Sequence, residues 1–201
     1  MGAKSMLAGL AIVSMIGCGG ESPTGPSGAA APGGGSSTGG TFNVRITDNP
    51  FGSAKAVLVT FSEVAARDAA GNWRKIAFAS GASTRTCDLK KLQNSAQDLL
   101  ASATMSPGSY THIRLTVQTA KIFFDNGSTS TTPCATTIAE PAGAVFPLAL
   151  SPANGEVNGV YTMPADGALN VLLDFDAQAS IIDQGGQKYS LTPTIRLMSV
   201  S

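Results

Sequence analysis

The chain has 201 residues, and its 13 basic and 13 acidic side chains give a formal net charge of zero at pH 7. A neutral chain without a run of lysine or arginine lacks the electrostatic footprint of nucleic-acid-binding proteins, so nucleic acid is not an expected partner. Glycine, serine and threonine are abundant and long helix-forming side chains are few, which favours a sheet-rich domain with many turns.

The N-terminus has the pattern of a secretory signal peptide over residues 1–17. Lys4 is followed by an apolar stretch, residues 6–16, that is too short to span a bilayer. The stretch ends in Met-Ile-Gly-Cys, which resembles the lipobox of bacterial lipoproteins, although Met15 stands where leucine is usual. The resemblance implies that Cys18 is acylated, for example by palmitate, and holds the chain on a lipid bilayer. The alternative is an ordinary signal peptide whose cysteine is incidental.

Residues 18–41 read as a flexible tether of glycine, serine and proline after the cysteine. The segment has no apolar periodicity, so it cannot bury enough surface to offset its chain entropy, and as a coil its ends would lie ~25 Å apart. Gly19 occupies the position where an inner-membrane retention signal would place aspartate. By analogy with lipoprotein sorting, we expect an outer-membrane or cell-surface location in the cell envelope.

The remaining chain, residues 42–201, alternates β-rich segments with turn signals such as Asp-Asn-Pro, Gly-Asn and Pro-Gly. Strands are predicted at residues 41–47, 54–66, 73–79, 109–124, 143–150, 159–163, 168–182 and 189–200. Residues 88–100 show some helical spacing but could equally form two short strands around Asn94. The pattern predicts a single antiparallel β-sandwich domain, all-β in class, with at most one or two short helices.

Cys87 and Cys134 are the two cysteines left once Cys18 is assigned to lipid. An even pair in an exported domain favours a disulfide, and both lie in segments rich in small or turn-forming residues. A metal-binding or nucleophilic role for one of them is the alternative, but there is no Cys-x-x-Cys spacing. We expect a bridge that stabilises the domain by ~3–4 kcal/mol.

An ordered set of short motifs resembles a known family. These motifs are ITDNP at 46–50, Gly-Asn-Trp at 71–73, Cys-Asp-Leu at 87–89, Pro-Gly-Ser-Tyr at 107–110, Leu-Asp-Phe-Asp at 173–176 and Leu-Thr-Pro-Thr-Ile-Arg at 191–196. Together they resemble the bacterial lipoprotein domain catalogued as domain of unknown function 4382, over residues 42–201. The Pro-Gly-Ser-Tyr turn also resembles transthyretin-like sandwiches, including the N-terminal domains of fimbrial subunits. The resemblance implies a sandwich on the cell exterior and supplies no activity.

Hydrolytic catalysis is poorly supported by the sequence, because His112 is the single histidine and no Gly-x-Ser-x-Gly elbow surrounds a serine. Strand alternation predicts that Tyr110, His112 and Arg114 share a polar face opposite Ile113 and its neighbours. We therefore expect a protein that is not an enzyme.

Aromatic side chains suggest a second kind of site. Trp73 and Tyr110 could form a sugar-stacking platform, although a lone tryptophan after a hairpin turn is more often a packing residue.

Asp174 and Asp176 stand one residue apart in an apolar run, LLDFDAQAS. On a strand their carboxylates would lie ~6–7 Å apart on one face, too far to chelate one ion alone. A calcium site would need a further ligand such as Asp48 or Asp125. No cofactor is expected, with calcium as the minority hypothesis.

Three arginines offer these aspartates another role. Arg45, Arg114 and Arg196 each lie between apolar residues in a predicted strand. Mid-strand arginines need carboxylate partners if they are partly covered, so we expect cross-strand ion pairs with Asp174 and Asp176 that set the register of the sheet.

These observations predict a lipid-anchored, non-catalytic envelope module. It would bind a glycan or a protein partner, or serve a structural role. The alternative is a fimbrial or surface-assembly subunit in which an edge strand pairs with a neighbouring chain.

Overall fold

A computed structural model describes residues 39–49 and 52–201 of the chain. The predicted signal peptide, Cys18 and nearly all of the tether lie outside the described residues. The first strand begins at Gly40, one residue before the start expected from the sequence. Among the described residues, no helix is long and apolar enough to cross a membrane.

Thirteen strands and one short α-helix account for most of the described chain. In chain order they are β1 (Gly40–Asn49), β2 (Ala56–Asp68), β3 (Trp73–Ile76), β4 (Arg85–Asp88), β5 (Asp98–Met105), β6 (Gly108–Phe123), β7 (Cys134–Ala135), β8 (Val145–Leu150), β9 (Asn154–Met163), β10 (Ala168–Asp176), α1 (Ala177–Ser180), β11 (Ile181–Asp183), β12 (Tyr189–Leu191) and β13 (Ile195–Val200). This confirms the predicted all-β sandwich with hardly any helix.

The strands form two sheets. The smaller sheet has the order β13-β10-β1-β5, in which β1 and β10 run parallel. The larger sheet follows the order β11-β12-β8-β6-β2-β4-β7, with β3 added to β2 and β9 added to β6. Strands β2 and β6 are long enough to pair with each other and with two further strands each, so they form the centre of the larger sheet.

The hydrophobic core lies between the two sheets, because each strand directs alternate side chains inward. Phe42 of β1 meets Tyr110 of β6 edge to face at 5.8 Å between ring centroids. Phe61 of β2 meets Phe175 of β10 in the same way, also at 5.8 Å. These inter-sheet aromatic pairs contribute packing beyond the area they bury.

The predicted disulfide between Cys87 and Cys134 is confirmed. The two residues are directly opposite each other on β4 and β7, and their sulfur atoms are 2.06 Å apart. The bridge closes a span of 47 residues. It therefore links β7 to the main body of the larger sheet.

Two predicted strands are each divided between the sheets. Residues 168–182 do not form one strand, because Asp176 ends β10 and caps the four-residue α1 before β11 begins. Residues 189–200 separate into β12 in the larger sheet and β13 in the smaller one, on either side of Pro193. Proline cannot donate to a sheet ladder, so the chain changes sheets there.

The ambiguous segment 88–100 is neither of the two structures considered. A single 3-10 turn spans Leu89–Lys91, and Asn94 and Ser95 adopt left-handed backbone angles, φ +57° and +68°. Asp98 then opens β5. The segment with helical periodicity is too short to form a stable α-helix, and the left-handed residues end it.

Candidate functional site

A surface cleft lies at one end of the sandwich, between the β2–β3 turn and the β5–β6 turn. Its volume is about 700 Å³, and we call it the Trp73 cleft. Its lining residues are Asp68, Ala69, Ala70, Trp73, Arg74, Lys75, Thr104, Met105, Ser106, Pro107, Gly108, Ser109 and Tyr110. The lining thus combines aromatic rings with cations, a carboxylate and hydroxyl groups, which can hydrogen-bond to a polar ligand.

Local hydrogen bonds shape the turn between β2 and β3. Asp68 Oδ1 accepts from the backbone N–H of Asn72 at 2.8 Å, and Asp68 Oδ2 accepts from Arg74 Nε at 2.9 Å. Gly71 takes a left-handed φ of +89°. The Asn72 N–H, followed by the Arg74 guanidinium, holds the pKa of Asp68 below its usual value. The turn therefore presents an ion pair between Asp68 and Arg74 at the mouth of the cleft.

The opposite wall is fixed by Tyr110. Its hydroxyl donates to the Ser106 carbonyl at 2.9 Å, and Gly108 adopts φ +134° between them. Burial raises the pKa of Tyr110, so the phenol stays protonated and keeps this bond. The Pro-Gly-Ser-Tyr motif noted in the sequence therefore forms one wall of the cleft, and the Tyr110 hydrogen bond holds that wall in place.

The prediction that Tyr110 shares the face of His112 and Arg114 was wrong. A β-bulge between Tyr110 and His112 shifts the register of β6 against β9, and Tyr110 turns into the core. One extra residue reverses the face of the side chains beyond it. Trp73 and Tyr110 do line one cleft, but only Trp73 has a partly exposed ring.

Trp73 is held in place by its neighbours on the outer face of the larger sheet. The guanidinium carbon of Arg114 lies 4.2 Å from the centroid of the Trp73 ring, and Arg114 Nη2 donates to Glu63 Oε1 at 2.8 Å. His112 approaches the same ring edge-on at 6.3 Å and contacts the Thr111 hydroxyl through Nδ1 at 2.9 Å. The indole therefore has a fixed orientation, as an aromatic binding platform requires.

The predicted partner of Arg114 was therefore wrong, because Arg114 forms its ion pair with Glu63 and not with an aspartate of β10. Glu63 was the missed residue, although its alternation along β2 predicts the same outer face. The Arg85–Asp98 ion pair, at 2.7 Å and largely buried, was missed as well. Arg45 is exposed on β1 and takes part in none of the ion pairs found among the described residues.

The ion-pair prediction for Asp176 is confirmed. Asp176 Oδ2 lies 2.5 Å from Arg196 Nη2, and Oδ1 accepts from Ala179 N at 2.9 Å and Asn49 Nδ2 at 3.4 Å. Both carboxylate oxygens are used, one as the N-cap of α1 and one in the ion pair. This carboxylate therefore holds together the ends of β1, β10 and β13.

Asp174 and Asp48 lie close to this pair in less favourable surroundings. Burial, with the negative charge of Asp176, raises the pKa of Asp174, and Arg196 opposes the shift. Burial raises the pKa of Asp48 to about 8, with Asp174 and Asp176 adding to the rise. Asp48 Oδ1 accepts from Ala177 N at 3.1 Å, whereas Oδ2 has no hydrogen-bond partner among the described residues.

A second cleft of about 420 Å³ opens beside these aspartates. Three of the four residues named in the calcium hypothesis, Asp48, Asp174 and Asp176, thus lie in one neighbourhood, whereas Asp125 follows β6 and accepts from Ala144 N. In the described part of the chain, no group of three or more histidine, cysteine, aspartate or glutamate side chains is arranged to hold a metal ion. Calcium therefore stays a hypothesis for experiment.

The fold and its features define a class: a two-sheet β-sandwich with a disulfide in one sheet and an aromatic cleft at one end. The chain matches the family described as "Domain of unknown function (DUF4382)" over residues 39–193. This match covers well over half of the chain, so the chain belongs to that family, as its motifs predicted. No curated protein and no solved structure matches the chain.

Proposed function

We propose that the protein is a lipid-anchored, non-catalytic module of the cell envelope that binds a glycan in the Trp73 cleft. The observation that carries the proposal is the orientation of Trp73, which Arg114 fixes from one side at the mouth of a polar cleft. The C–H groups on one side of a pyranose ring pack against an indole, and its hydroxyl groups suit carboxylate and guanidinium partners. Asp68 and Arg74 supply such partners in the cleft wall.

Export and anchoring are supported by independent features of the chain. The disulfide between Cys87 and Cys134 is a bond that persists in oxidising compartments and is rare in the cytosol. The lipobox-like residues before Cys18 and the tether after it suit a domain held at a distance from a bilayer. By analogy with lipoprotein sorting, Gly19, which stands where an inner-membrane retention signal would place aspartate, supports an outer-membrane or surface location.

A non-catalytic role agrees with how the single histidine is engaged. His112 contacts the Thr111 hydroxyl and the edge of Trp73, so it helps to position the indole. Hydrolysis of a saccharide panel that is abolished by His112→Ala would contradict this part of the proposal.

The glycan-binding proposal is tested with the full chain, purified in mild detergent and applied to a glycan array. Retention on one class of glycan, lost in Trp73→Ala, is expected. Tyr189→Ala is the matched control, because Tyr189 is also a partly exposed aromatic residue but packs against Phe124 and Phe146 outside the cleft. Equal retention of the parent and the Trp73 variant, with equal melting temperatures, would overturn the proposal.

A second candidate, assembly through an edge strand, is favoured by β13. Within the described residues β13 pairs only with β10, and Met198 and Val200 are 57% and 40% exposed. The opposite edge of this sheet is covered, because Ala79 N donates to Leu100 O and Ser102 N donates to Ala77 O. An open strand with exposed apolar side chains is a template for pairing with another chain.

Sedimentation separates the two candidates. Oligomers that form with rising concentration and disappear in Met198→Lys would favour assembly through β13. A protein that stays monomeric and is retained by glycans would favour the Trp73 cleft.

A further inference from the structure

Besides Arg114, which stacks on the ring and pairs with Glu63, three cations lie close to Trp73, and they differ in how their charge is balanced. Arg74 is balanced by Asp68, with 2.9 Å between Nε and Oδ2. Lys75 and Arg67 have no carboxylate partner among the described residues. Arg67 donates from Nε to the Gly71 carbonyl at 3.1 Å, which orients its guanidinium without neutralising it.

Strand geometry places both unbalanced cations on the face that carries the indole. Lys75 is two residues after Trp73 on β3, so their side chains point to the same side of the sheet. Arg67 is the direct Cα partner of Trp73 on β2. The ring is therefore flanked along its own strand by an ammonium group and across the strand by a guanidinium group.

The carboxylates of this region do not cancel that charge. Glu63 is bonded to Arg114, and Asp68 is bonded to Arg74 and Asn72. Glu156 is opposite Arg114 on β9, where β2 and β6 separate it from Trp73 on β3. A chain of zero net charge thus has an unbalanced positive site beside the exposed ring.

We propose that the Trp73 cleft takes an acidic saccharide, in which a uronate ring packs on Trp73 while Lys75, in the cleft wall, and Arg67, beside the cleft, bind carboxylates on the two sides of that ring. This rests on the proposed glycan-binding function and names the class of glycan. A carboxylate gains charge-assisted hydrogen bonds from an ammonium or guanidinium group, whereas a neutral sugar offers neither cation a negative charge. Charge complementarity therefore selects the anionic ligand.

The test compares polygalacturonate with its fully methyl-esterified form, two polymers with the same ring and linkage that differ in charge. Binding by the full chain is measured by calorimetry in low salt and in 0.3 M salt. We expect polygalacturonate to bind at least ~10-fold more tightly than the ester, with the preference falling as salt rises. Lys75→Gln and Arg67→Gln should each weaken binding of polygalacturonate by ~5–10-fold. Lys188→Gln, which changes an exposed lysine in the turn between β11 and β12, should leave it unchanged.

The experiment distinguishes an error in the proposed ligand class from an error in the proposed binding site. Equal affinity for the two polymers, lost in Trp73→Ala, would overturn the acidic preference and keep the glycan site. A preference for polygalacturonate that Lys75→Gln and Arg67→Gln leave intact would overturn the assignment of these two cations. Binding of neither polymer, with retention of neutral glycans on the array, would also overturn the acidic preference. Retention of no glycan at all would overturn the glycan site itself.

Discussion

Arg196 is the Cα partner of Asp174 across β10 and β13, yet its guanidinium pairs with Asp176 at 2.5 Å. The Asp176 side chain is 2% exposed, whereas that of Arg196 is 57% exposed. The exposed Arg196 guanidinium therefore covers the Asp176 carboxylate on its solvent side and holds it in place. Asp176, the second aspartate of the Leu-Asp-Phe-Asp motif, lies at the end of β10, where it also caps α1.

Replacing Asp176 tests how much this carboxylate stabilises the fold. Asp176→Ala removes the N-cap of α1 and the ion pair, so we expect the free energy of unfolding to fall by ~2–3 kcal/mol. Asp176→Asn keeps a capping oxygen and should cost about half as much. Urea unfolding of both variants measures the difference, and equal losses would contradict the capping role.

The effect of calcium on the melting temperature tests the calcium hypothesis for Asp174 and Asp176. If Asp174 and Asp176 act only within the protein, calcium will not change the melting temperature of the parent chain. The matched variant is Asp174→Asn combined with Asp176→Asn. A melting temperature that rises with calcium in the parent and not in this double variant would contradict the ion-pair account.

Asp48 should make stability depend on pH. Its pKa in the folded chain is raised from 3.8 to about 8, so the folded state keeps a proton that the unfolded state releases. The free energy of unfolding should therefore fall as pH rises from about 4 to about 8. Asp48→Asn, which keeps an acceptor for Ala177 N, should flatten this slope and stabilise the chain at pH 8 by ~1–3 kcal/mol. Asp166→Asn, in an exposed turn, is the control, and an unchanged slope in Asp48→Asn would refute the assignment.

Tyr161 contains a buried hydroxyl without a hydrogen-bond partner among the described residues. Burial raises its pKa to about 12, so the group is a neutral phenol at physiological pH. Tyr161→Phe should leave the free energy of unfolding unchanged or raise it by ~1 kcal/mol, because no bond is lost. Tyr110→Phe is the matched control, since it removes the bond to Ser106 O and should lower stability by ~1 kcal/mol. Thermal and urea unfolding should rank the two variants in this order, and the reverse order would count against it.

The disulfide should be a major source of stability. It closes 47 residues of sequence, for which the loss of chain entropy in the unfolded state predicts ~4 kcal/mol. Cys87→Ser combined with Cys134→Ser should lower the urea midpoint accordingly, as should reduction of the parent chain. A reductant should have no effect on the double variant, and a response there would point to a different target.

Replacing Cys18 tests the proposed lipid anchor. Cys18→Ser should move the protein from the membrane fraction to the soluble exported fraction and abolish acylation, both visible by fractionation and mass spectrometry. Met15→Leu, which restores the usual first residue of the lipobox, should leave anchoring intact. A Cys18 variant that stays on the membrane would show that another feature holds it there.

The strand pattern and the motifs were sufficient to predict the all-β class, the family and the partnership of Cys87 with Cys134. The fold class depends on local alternation, and the disulfide pairing follows because only two cysteines remain besides Cys18. The bulge beside His112 was not predictable in the same way, because one inserted residue changes the face of Tyr110 without changing the alternation on either side of it. The change of sheet around Pro193 depended equally on how the two layers pack.

Because the chain has few acids and Arg196 lies on a compatible strand, the residue pattern was enough to predict an ion pair between Asp176 and an arginine. The packing of the strands then showed that Glu63 binds Arg114, that Asp48 is buried, and that Lys75 and Arg67 flank Trp73 without carboxylate partners among the described residues. Charge balance and desolvation could not be predicted in the same way, because they depend on which distant segments are brought together in space. Alternation along one strand gives the side a residue faces, and the neighbouring strands decide what it meets there.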